Sequence, residues 1–402
     1  MRSCLQVALA AALVCHANGG AAKPACAQRI LVAERRPRTS GPPPAAMPAE
    51  LEWAYTRCGA VEKGEFFVDD THGGKGMRIT LTAERVRGFV ESAKALAAAP
   101  FPATHGQQGQ GWLAEAFRRN AASIANATVI VIGSMTPTVE TLALAYGAAH
   151  VATVEYGSLV YPHPNLSTHA AAHLAAVFAA GGCGSGSEAA SGGGLGPLPR
   201  IGAVVSLSSW DHDGLGRYGD PLAPDGDLMS VDDVARLSRL CAPAPLPLLF
   251  LSVPVGPDVV VWNLHRRYGR IRLPLLLTPF NLVDTVGWAE GDAPQGNTRP
   301  RRPEPPRPVG VPALDTAWPF VKSYEPLLVL RPVAADDGVE AGHAFEDLLV
   351  RQHVAPASAP NVAAGAPAAA VVPQRGEMHS QSKTAPPLPV RGHGAQPRRE
   401  EL

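Results

Sequence analysis

The chain has 402 residues, 46% of them apolar, and its 35 basic side chains balance its 35 acidic ones. A formal net charge of zero gives no electrostatic surface for nucleic acid, because phosphate binding needs clustered Lys and Arg. We therefore expect no nucleic-acid partner. The 40 glycines and 40 prolines indicate that much of the chain lies outside packed core.

Residues 1–28 have the pattern of a targeting peptide. Arg2 is followed by the apolar stretch CLQVALAAALVC and then by small residues. That stretch is too short to span a bilayer comfortably, and no later segment predicts a stable membrane span. We favour a secretory signal peptide, which predicts location in the Golgi or ER lumen, or secretion. The Arg-rich stretch RRPRTS leaves an organellar transit peptide open, and an uncleaved short anchor is a third alternative.

Composition divides the rest of the chain into three parts. The Ala-, Pro- and Gly-rich residues 29–50 predict a disordered linker, and residues 51–333 predict a folded domain. The Gly-rich insert 181–199 and the Pro-rich insert 291–310 predict flexible loops within that domain. Residues 334–402 are rich in Ala and Pro without periodicity, and they predict a disordered tail.

The cysteines form no CxxC pair, which excludes an obvious zinc knuckle and a thioredoxin-type motif. Cys4 and Cys15 lie in the targeting segment. One or two disulfides in a secretory compartment and unpaired thiols are equally compatible with the wide spacing of the other four, Cys26, Cys58, Cys183 and Cys241.

Apolar periodicity predicts a series of helices and strands from residue 81 onward. Two helices come first, over 81–99 with Thr82 as N-cap and over 111–124. Continuous β-branched runs then predict strands buried on both faces of a parallel sheet. In chain order the elements that follow are strand 127–133, helix 137–149, strand 150–155, short strand 165–169, helix 170–180, strand 201–209, helix 230–240 with Ser230 as N-cap, and strands 247–256, 280–288 and 324–332.

Such an order predicts an α/β fold around a parallel sheet, in which ligands bind at the carboxyl ends of the strands. The turn after the first of these strands begins with Gly133, and Ser134 and Thr136 offer hydrogen-bond donors there. Glu155 ends the second strand, where an acid accepts hydrogen bonds from a ribose diol. The alternatives are a plain strand-to-helix turn and a solvated carboxylate at the strand end.

The stretch SSWDHDGLGRYGDP follows the fourth predicted strand. His212, flanked by Asp211 and Asp213, predicts a general base with orienting acids. Three further polar side chains of this stretch are candidates for substrate binding: Arg217, Tyr218 and Asp220. The structural alternative is a turn in which the acids cap local amides and the arginine pairs with an acid.

Three weaker patterns complete the candidates. Asp220, Asp225 and Asp227 resemble fragments of a calcium loop, but the ligand spacing and the terminal Glu are missing, so we predict no metal. The stretch VDDTHGGKGMRI predicts a surface hairpin or a lid over the site. Trp262 and His265 in VWNLHRRYGRIRLP could bind a sugar or an acidic substrate, or belong to packed structure.

Four stretches of the chain together resemble an uncharacterised family. They are VIVIGS…TVETLALAYGAAHVATVEY, SLSSWDHDGLGRYGDPLAPDGDL, LFLSVPVGPDVVVWNLHRRYGRIRLPLLL and EPLLVLRP, and they cover roughly residues 51–332 without the two inserts. The family is the domain-of-unknown-function family two-six-eight, which is similar to class I S-adenosylmethionine-dependent methyltransferases. The run HDGLGRYGDP is the stretch most specific to it.

The resemblance implies a Rossmann-like, three-layer αβα fold with a mostly parallel, methyltransferase-type sheet of seven strands and an antiparallel last strand. It implies S-adenosylmethionine as cofactor, with Gly133 at its turn, Glu155 at its ribose and Ser208 to Asp213 beside its methyl group. The single glycine of the first turn and the absence of an acid after the third strand, where Thr168 or His169 stands, depart from the methyltransferase pattern. Both departures are compatible with a non-catalytic member.

The leading hypothesis is therefore methyl transfer from S-adenosylmethionine to an oxygen of a glycan or small hydroxyl acceptor. The first alternative is a catalytically inactive, methyltransferase-like binding or scaffold protein of the secretory pathway. An enzyme that uses another nucleotide, such as a sugar nucleotide, is a third hypothesis. Against it stands the absence of a basic diphosphate clamp near Gly133.

Overall fold

The computed structural model describes residues 42–73, 76–99, 109–183, 196–241, 245–288 and 324–334. The targeting segment, most of residues 29–50, most of the Gly-rich insert, all of the Pro-rich insert and nearly all of the predicted tail lie outside these ranges. The part of the 29–50 segment that is described includes the buried Met47 and the first two residues of a helix, Ala49–Tyr55. Within the described ranges, every helix is too short or too polar to span a lipid bilayer.

The fold is an α/β fold of the Rossmann-like type, as the sequence predicts. Its helices, numbered in chain order, are α1 (Ala49–Tyr55), α2 (Ala83–Ala98), α3 (Gln110–Arg119), α4 (Ala121–Ile124), α5 (Thr138–Ala145), α6 (Leu174–Ala180), α7 (Gly226–Arg239) and α8 (Arg272–Leu277). Its strands are β1 (Glu62–Glu65), β2 (Arg78–Thr80), β3 (Thr128–Ile132), β4 (His150–Glu155), β5 (Ser158–Val160), β6 (Leu166–Ala170), β7 (Ile201–Leu207), β8 (Leu248–Ser252), β9 (Val259–Trp262), β10 (His265–Arg267), β11 (Phe280–Val286) and β12 (Leu327–Pro332).

Seven strands form the main sheet in the order β11-β12-β8-β7-β3-β4-β6. The pairs among β6, β4, β3, β7 and β8 are parallel, whereas β12 is antiparallel to both β8 and β11. The expected antiparallel last strand is therefore confirmed. From the central β3 the chain first adds β4 and β6 on one side and then β7 and β8 on the other. The switch point of the sheet lies between β3 and β7, where ligands of open α/β sheets bind.

The core explains why the central strands are apolar throughout. Every residue of β8 is buried, and so are all residues of β7 except its last. Two groups of helices flank the sheet, one made of α2, α3 and α5 and the other of α6, α7 and α8. A disulfide joins Cys183, after α6, to Cys241, after α7, across a sequence separation of 58 residues. A crosslink over such a loop typically stabilises a domain by about 2–4 kcal/mol.

A smaller second core lies beside the main sheet. Strand β9 pairs in parallel with β1 and antiparallel with β10, and this three-stranded sheet packs against α1. Its apolar residues come from distant parts of the chain: Met47, Leu51, Tyr55, Val61, Leu215, Leu222, Val260 and Trp262. Leu215 and Leu222 belong to the loop after β7, so their packing in the second core fixes the position of that loop.

The predicted capping of two helices has different outcomes. The Thr82 side chain accepts a hydrogen bond from the amide of Arg85, so the predicted N-cap of α2 is confirmed. The predicted N-cap at Ser230 is wrong, because α7 begins four residues earlier with Asp225 at the N-cap position. Ser230 lies inside the helix, and its hydroxyl donates to the Asp213 carboxylate instead.

A pair of glycine substitutions tests the packing of the sheet. A Cβ on Gly202, in β7, would lie 2.1 Å from the carbonyl oxygen of Ser123 and 2.6 Å from the Cβ of Ala127. We expect Gly202→Ala to lower the free energy of unfolding by about 1–3 kcal/mol, because backbone must move to admit the methyl group. A Cβ on Gly88, in α2, meets nothing within 4 Å.

The matched control, Gly88→Ala, is expected to raise the free energy of unfolding by about 0.5–1 kcal/mol, the helix preference for alanine over glycine. Urea denaturation followed by circular dichroism measures both values. Equal effects of the two substitutions would contradict the described packing of β7.

Candidate functional site

The carboxyl ends of β3, β4 and β7 surround a cavity of ≈ 430 Å³. We call it the switch-point cavity, because it lies where the strand order reverses. Nine sequence-predicted site residues line it: Gly133, Ser134, Thr136, Glu155, Ser208, His212, Asp213, Tyr218 and Asp220. The other four predicted residues, Asp211, Arg217, Trp262 and His265, lie outside its lining.

Two strand-end turns interlock at the floor of this cavity. Gly133 has φ +71°, and a Cβ there would lie 1.9 Å from the Oγ of Ser209. Ser208, on the neighbouring turn, also has a positive φ of +48°. Glycine is therefore required at position 133 by the close approach of the β7 turn, in addition to its left-handed backbone.

Glu155 ties the turns after β3 and β4 together. Its Oε2 accepts the amide hydrogen of Ser134 at 2.9 Å, and its Oε1 accepts those of Tyr156 at 2.6 Å and Gly157 at 3.3 Å. A carboxylate has about four lone-pair sites, and these three bonds occupy most of them. Glu155 lies at the position that the sequence predicts for an acid that binds ribose. Much of its hydrogen-bonding capacity, however, is used by backbone amides of the protein.

A second acid near this turn was missed by the sequence analysis. Glu140, in the first turn of α5, is fully buried, and the Thr153 hydroxyl donates to its Oε1 at 2.8 Å. Burial raises the pKa of Glu140 to about 7, against the opposing hydrogen bonds from Ser134 and Thr153. The signal that could have found it is a single acid on an otherwise apolar helix face.

Asp211 lies beneath the loop rather than in the cavity. Its side chain is fully buried, with Oδ2 3.4 Å from Nε2 of His212 and 3.9 Å from Nδ1 of His265. Burial raises the pKa of Asp211 to about 6, although His265 and Arg266 act in the opposite direction. Asp211 therefore lies beside both imidazoles and cannot itself touch a ligand in the switch-point cavity, and its orienting role toward His212 stays a prediction.

His212 is held as a neutral imidazole. Its Nδ1 lies 2.5 Å from the carbonyl oxygen of Leu264, and since a carbonyl only accepts, Nδ1 carries the hydrogen. Burial, reinforced by Arg217, lowers the pKa of His212 to about 4. Its ring meets Tyr218 edge to face, with centroids 5.6 Å apart. A base with so low a pKa is a weak proton acceptor at neutral pH.

Asp213 lines the cavity with a carboxylate that two hydroxyls orient. Tyr156 donates to its Oδ1 at 3.0 Å, and Ser230 makes a short hydrogen bond to its Oδ2. Burial, followed by the neighbouring Asp220, raises the pKa of Asp213 to about 6. Of the three predicted catalytic side chains, Asp213 and His212 line the cavity. The pKa of Asp213 is closer to neutrality than that of His212.

Asp220 and Arg217 shape the loop. Asp220 accepts the amide hydrogens of Gly214 at 2.7 Å and Gly216 at 2.8 Å through Oδ2, and that of Tyr218 at 3.1 Å through Oδ1. Arg217 donates from Nε to Asp70 at 2.7 Å, and its guanidinium lies 4.8 Å from the Tyr218 ring centroid. These contacts match the structural alternative for the loop.

Trp262 and His265 are packed below the loop. The Trp262 indole is 2% exposed, donates to the carbonyl of Pro44 at 3.1 Å and contacts the Tyr55 ring in the second core. His265 is 7% exposed and faces Asp211. Both side chains therefore lie in packed structure, which is the alternative that the sequence leaves open. Neither of them lines the switch-point cavity, where substrate contacts are predicted.

A buried network of charges anchors the whole loop. Arg272 donates to both oxygens of Asp227, at 2.7 and 2.8 Å, and Arg57 makes a short ion pair with Asp225. The guanidinium of Arg266 donates to the carbonyl of Asp213 at 2.6 Å and lies 3.8 Å from Asp227. We call these five residues the arginine–aspartate network: Arg57, Asp225, Asp227, Arg266 and Arg272.

The network accounts for the acids that resemble fragments of a calcium loop. Asp225 and Asp227 pair with arginines, so their carboxylates are committed to cations of the protein itself. Burial pushes the pKa of Asp227 upward, but Arg266 and Arg272 outweigh it and hold that pKa below its ordinary value. Tyr268 adds a hydrogen bond from its hydroxyl to Asp227 at 2.9 Å.

Part of this region also has known relatives. Residues 200–298 match a family model. Its description is "Caenorhabditis protein of unknown function, DUF268". The match covers less than half of the chain, but it includes β7, the loop after it and the arginines of β10 and α8. It confirms the expected family resemblance over this segment and carries no link to methyltransferases. No curated protein matches the chain.

Removing one charge tests the arginine–aspartate network. We expect Asp227→Asn to lower the free energy of unfolding by about 3 kcal/mol or more, because Arg266 and Arg272 would stay buried without a full counter-charge. The control is Lys94→Met, which removes an exposed ion pair with Glu91. That change is expected to cost less than about 1 kcal/mol.

Chemical denaturation at pH 7 measures both changes. The stabilisation from Asp227 is fully present above the ordinary aspartate pKa, and it is lost as the pH falls through the lower pKa of the folded state. A cost for Asp227→Asn no larger than that for Lys94→Met would contradict the anchoring role.

Proposed function

We propose that this protein binds S-adenosylmethionine in the switch-point cavity and transfers its methyl group to a hydroxyl oxygen of a glycan or small acceptor. The observation that carries the proposal is the charge of the cavity. Its described lining includes the acids Glu155, Asp213, Asp220 and Asp233 and no Lys or Arg. A positively charged nucleoside fits such a lining better than a nucleotide with anionic phosphates.

The fit to the cofactor also draws on the shape of the site. Apolar side chains such as Met77, Leu174 and Val234 line the cavity beside the acids, which suits a ligand with a flat apolar base and polar ends. The seven-stranded sheet with an antiparallel last strand is the sheet that the resemblance implies. A sugar-nucleotide enzyme would need cations for its diphosphate, and the described lining offers none.

The side chains of the site would have distinct tasks. When bound, S-adenosylmethionine supplies a methyl group on a positively charged sulfur. Glu155 lines the cavity where the ribose would lie, and Asp213 accepts the proton of the acceptor hydroxyl as it attacks. This differs from the expectation for His212, whose pKa of about 4 makes it a poorer base than Asp213 at about 6. His212 instead packs the loop against Tyr218.

A catalytically inactive binding protein is the second candidate, and a specific observation favours it. The space that Gly133 leaves open is filled by Ser209, and three backbone amides occupy Glu155. A cofactor bound as in methyltransferases would have to compete with Ser209 for the space at Gly133 and with backbone amides for the Glu155 carboxylate. Binding without turnover distinguishes this candidate from an active enzyme.

We also propose that the protein acts in the secretory pathway, with an organelle as the alternative. The Cys183–Cys241 disulfide supports an oxidising compartment. Cys58 is disulfide-bonded as well. Protein sequencing of the mature N-terminus would distinguish the two locations, since the two kinds of targeting peptide are cleaved by different enzymes in different compartments.

Calorimetric titration with S-adenosylmethionine tests the proposed ligand. Met135 lines the mouth of the cavity and is 52% exposed, so Met135→Trp adds bulk there without disturbing the core. We expect it to weaken binding at least about tenfold, or 1.4 kcal/mol. The control is Val160→Trp, at a residue that is 48% exposed and outside the lining. Folded wild-type protein that does not bind the ligand would overturn the proposal.

The pH dependence of methyl transfer tests the role of Asp213. A carboxylate base is active when deprotonated, so the rate should rise with pH through about 6 and then level off. We expect Asp213→Asn to lose at least about 100-fold in rate while it still binds S-adenosylmethionine. Transfer from methyl-labelled S-adenosylmethionine to a panel of neutral sugars provides the assay.

The control for Asp213→Asn is His212→Gln, which should leave the position of the pH profile unchanged. Thermal unfolding of Asp213→Asn separates chemistry from folding, because a merely structural residue would lose stability together with the rate. Retained turnover in folded Asp213→Asn would rule out this base.

A further inference from the structure

A second cavity, of ≈ 250 Å³, adjoins the first. We call it the side cavity. Its lining and that of the switch-point cavity share Tyr156, Asp213, Ser230 and Ala171. A ligand in either cavity therefore meets the same three polar side chains, and the two cavities are neighbours across a common wall.

The chemistry of that wall is concentrated in one carboxylate. The Asp213 carboxylate accepts hydrogen bonds from the Tyr156 hydroxyl on Oδ1 and from the Ser230 hydroxyl on Oδ2. The donors fix the carboxylate in one orientation, and each carboxylate oxygen keeps a second lone-pair site. The Ser230 hydroxyl oxygen can likewise accept a hydrogen bond from a ligand hydroxyl.

The rest of the side cavity is small and uncharged. Apart from the shared residues, its described lining consists of Ala170, Ala172, Pro221, Ala223 and Gly226. This lining contains no Lys, Arg or His that could neutralise a carboxylate or phosphate of a ligand. The volume lies below the range of about 300–1,000 Å³ of drug-sized sites, which suits a single ring.

We infer that the side cavity is the acceptor site, and that it takes a neutral hydroxyl compound of about one sugar ring. The alanines and Pro221 would face the C–H surface of the ring, while the hydroxyls of Tyr156 and Ser230 and the Asp213 carboxylate bind one of its hydroxyl groups. The transfer step rests on the proposed function, whereas binding of the neutral ring does not.

In the transfer, the acceptor oxygen forms a bond to the methyl carbon as the carbon–sulfur bond breaks. The electron pair of that bond stays on sulfur, which becomes a neutral thioether. The hydroxyl proton passes to the Asp213 carboxylate and from there to solvent. Because Asp213 lines both cavities, it can take this proton from an acceptor in the side cavity beside a methyl donor in the switch-point cavity.

The side cavity differs from the acceptor site that the sequence suggests. Arg217, Trp262 and His265 line neither cavity, whereas Tyr156 and Ser230 line both. The positive charge of Arg217 would favour an acidic acceptor, but its guanidinium is paired with Asp70. Of the sugar or acidic substrate that the sequence allows, the side cavity therefore favours a neutral one.

Saturation-transfer NMR with two probes tests the inference. The neutral probe is methyl β-D-glucopyranoside, and the anionic probe is D-glucuronic acid. Ala172 lines the side cavity alone and is exposed, so Ala172→Trp should obstruct this cavity and spare the fold. Ala121→Trp, at an exposed position in α4 outside both linings, controls for added bulk. Calorimetry with S-adenosylmethionine is run on the same three proteins.

We expect saturation transfer to the neutral glycoside in the wild type and Ala121→Trp, and an at least about tenfold weaker affinity in Ala172→Trp. Binding of S-adenosylmethionine should be unchanged in both variants. An unaltered glycoside signal in Ala172→Trp, no signal in folded wild-type protein, or equal binding of D-glucuronic acid would overturn the inference. Glycoside binding as expected without S-adenosylmethionine binding would uphold the neutral-ring site and refute the transfer function.

Discussion

The arginine–aspartate network is the constraint on which the site depends. Two aspartates of the segment that follows the β7 loop pair with Arg57, from the turn after α1, and Arg272, from α8. Arg266 from β10 reaches the carbonyls of Asp211 and Asp213. Burying such charges is costly unless each is paired and hydrogen-bonded. Because the paired groups come from separate elements, the network forms only when these elements have assembled, and the loop then has one conformation.

That conformation determines what the loop presents to the cavities. Tyr55 donates to the carbonyl of Gly214 at 2.6 Å, and Asp220 closes the turn through the amides of Gly214 and Gly216. These hydrogen bonds fix the backbone next to Asp213, and the Asp213 carboxylate lies in the wall between the two cavities. Partial burial there raises the pKa of Asp213 to about 6, so the contacts that shape the loop also adjust its acid–base chemistry.

The sequence predicts the sheet well because each central strand is a short, continuous apolar run. Gly133 and Glu155 could also be located, since a turn glycine and a strand-end acid have fixed positions in a strand–helix–strand unit. The network could not be predicted. Arg57 and Arg272 are far from Asp225 and Asp227 in sequence, and no local spacing marks a pair that forms only in the tertiary fold.

The same limit explains the helix start and the candidate base. Ser230 precedes an apolar run and resembles an N-cap, but α7 begins at Gly226, where Asp225 and Asp227 pair with arginines that are distant in sequence. His212 resembles a base in sequence because acids flank it. Its weakness at neutral pH comes from burial and from Arg217, which only the folded loop brings together. Tyr156 was not singled out, because its partner Asp213 lies 57 residues away.

The most direct test of the account is a crystal structure of the protein grown with S-adenosylhomocysteine, the product that methyl transfer would leave. The account predicts the nucleoside in the switch-point cavity, with its ribose at Glu155 and its sulfur on the side of the Asp213 wall. A structure in which S-adenosylhomocysteine binds elsewhere, or in which the cavity stays empty at saturating concentration, would contradict the account.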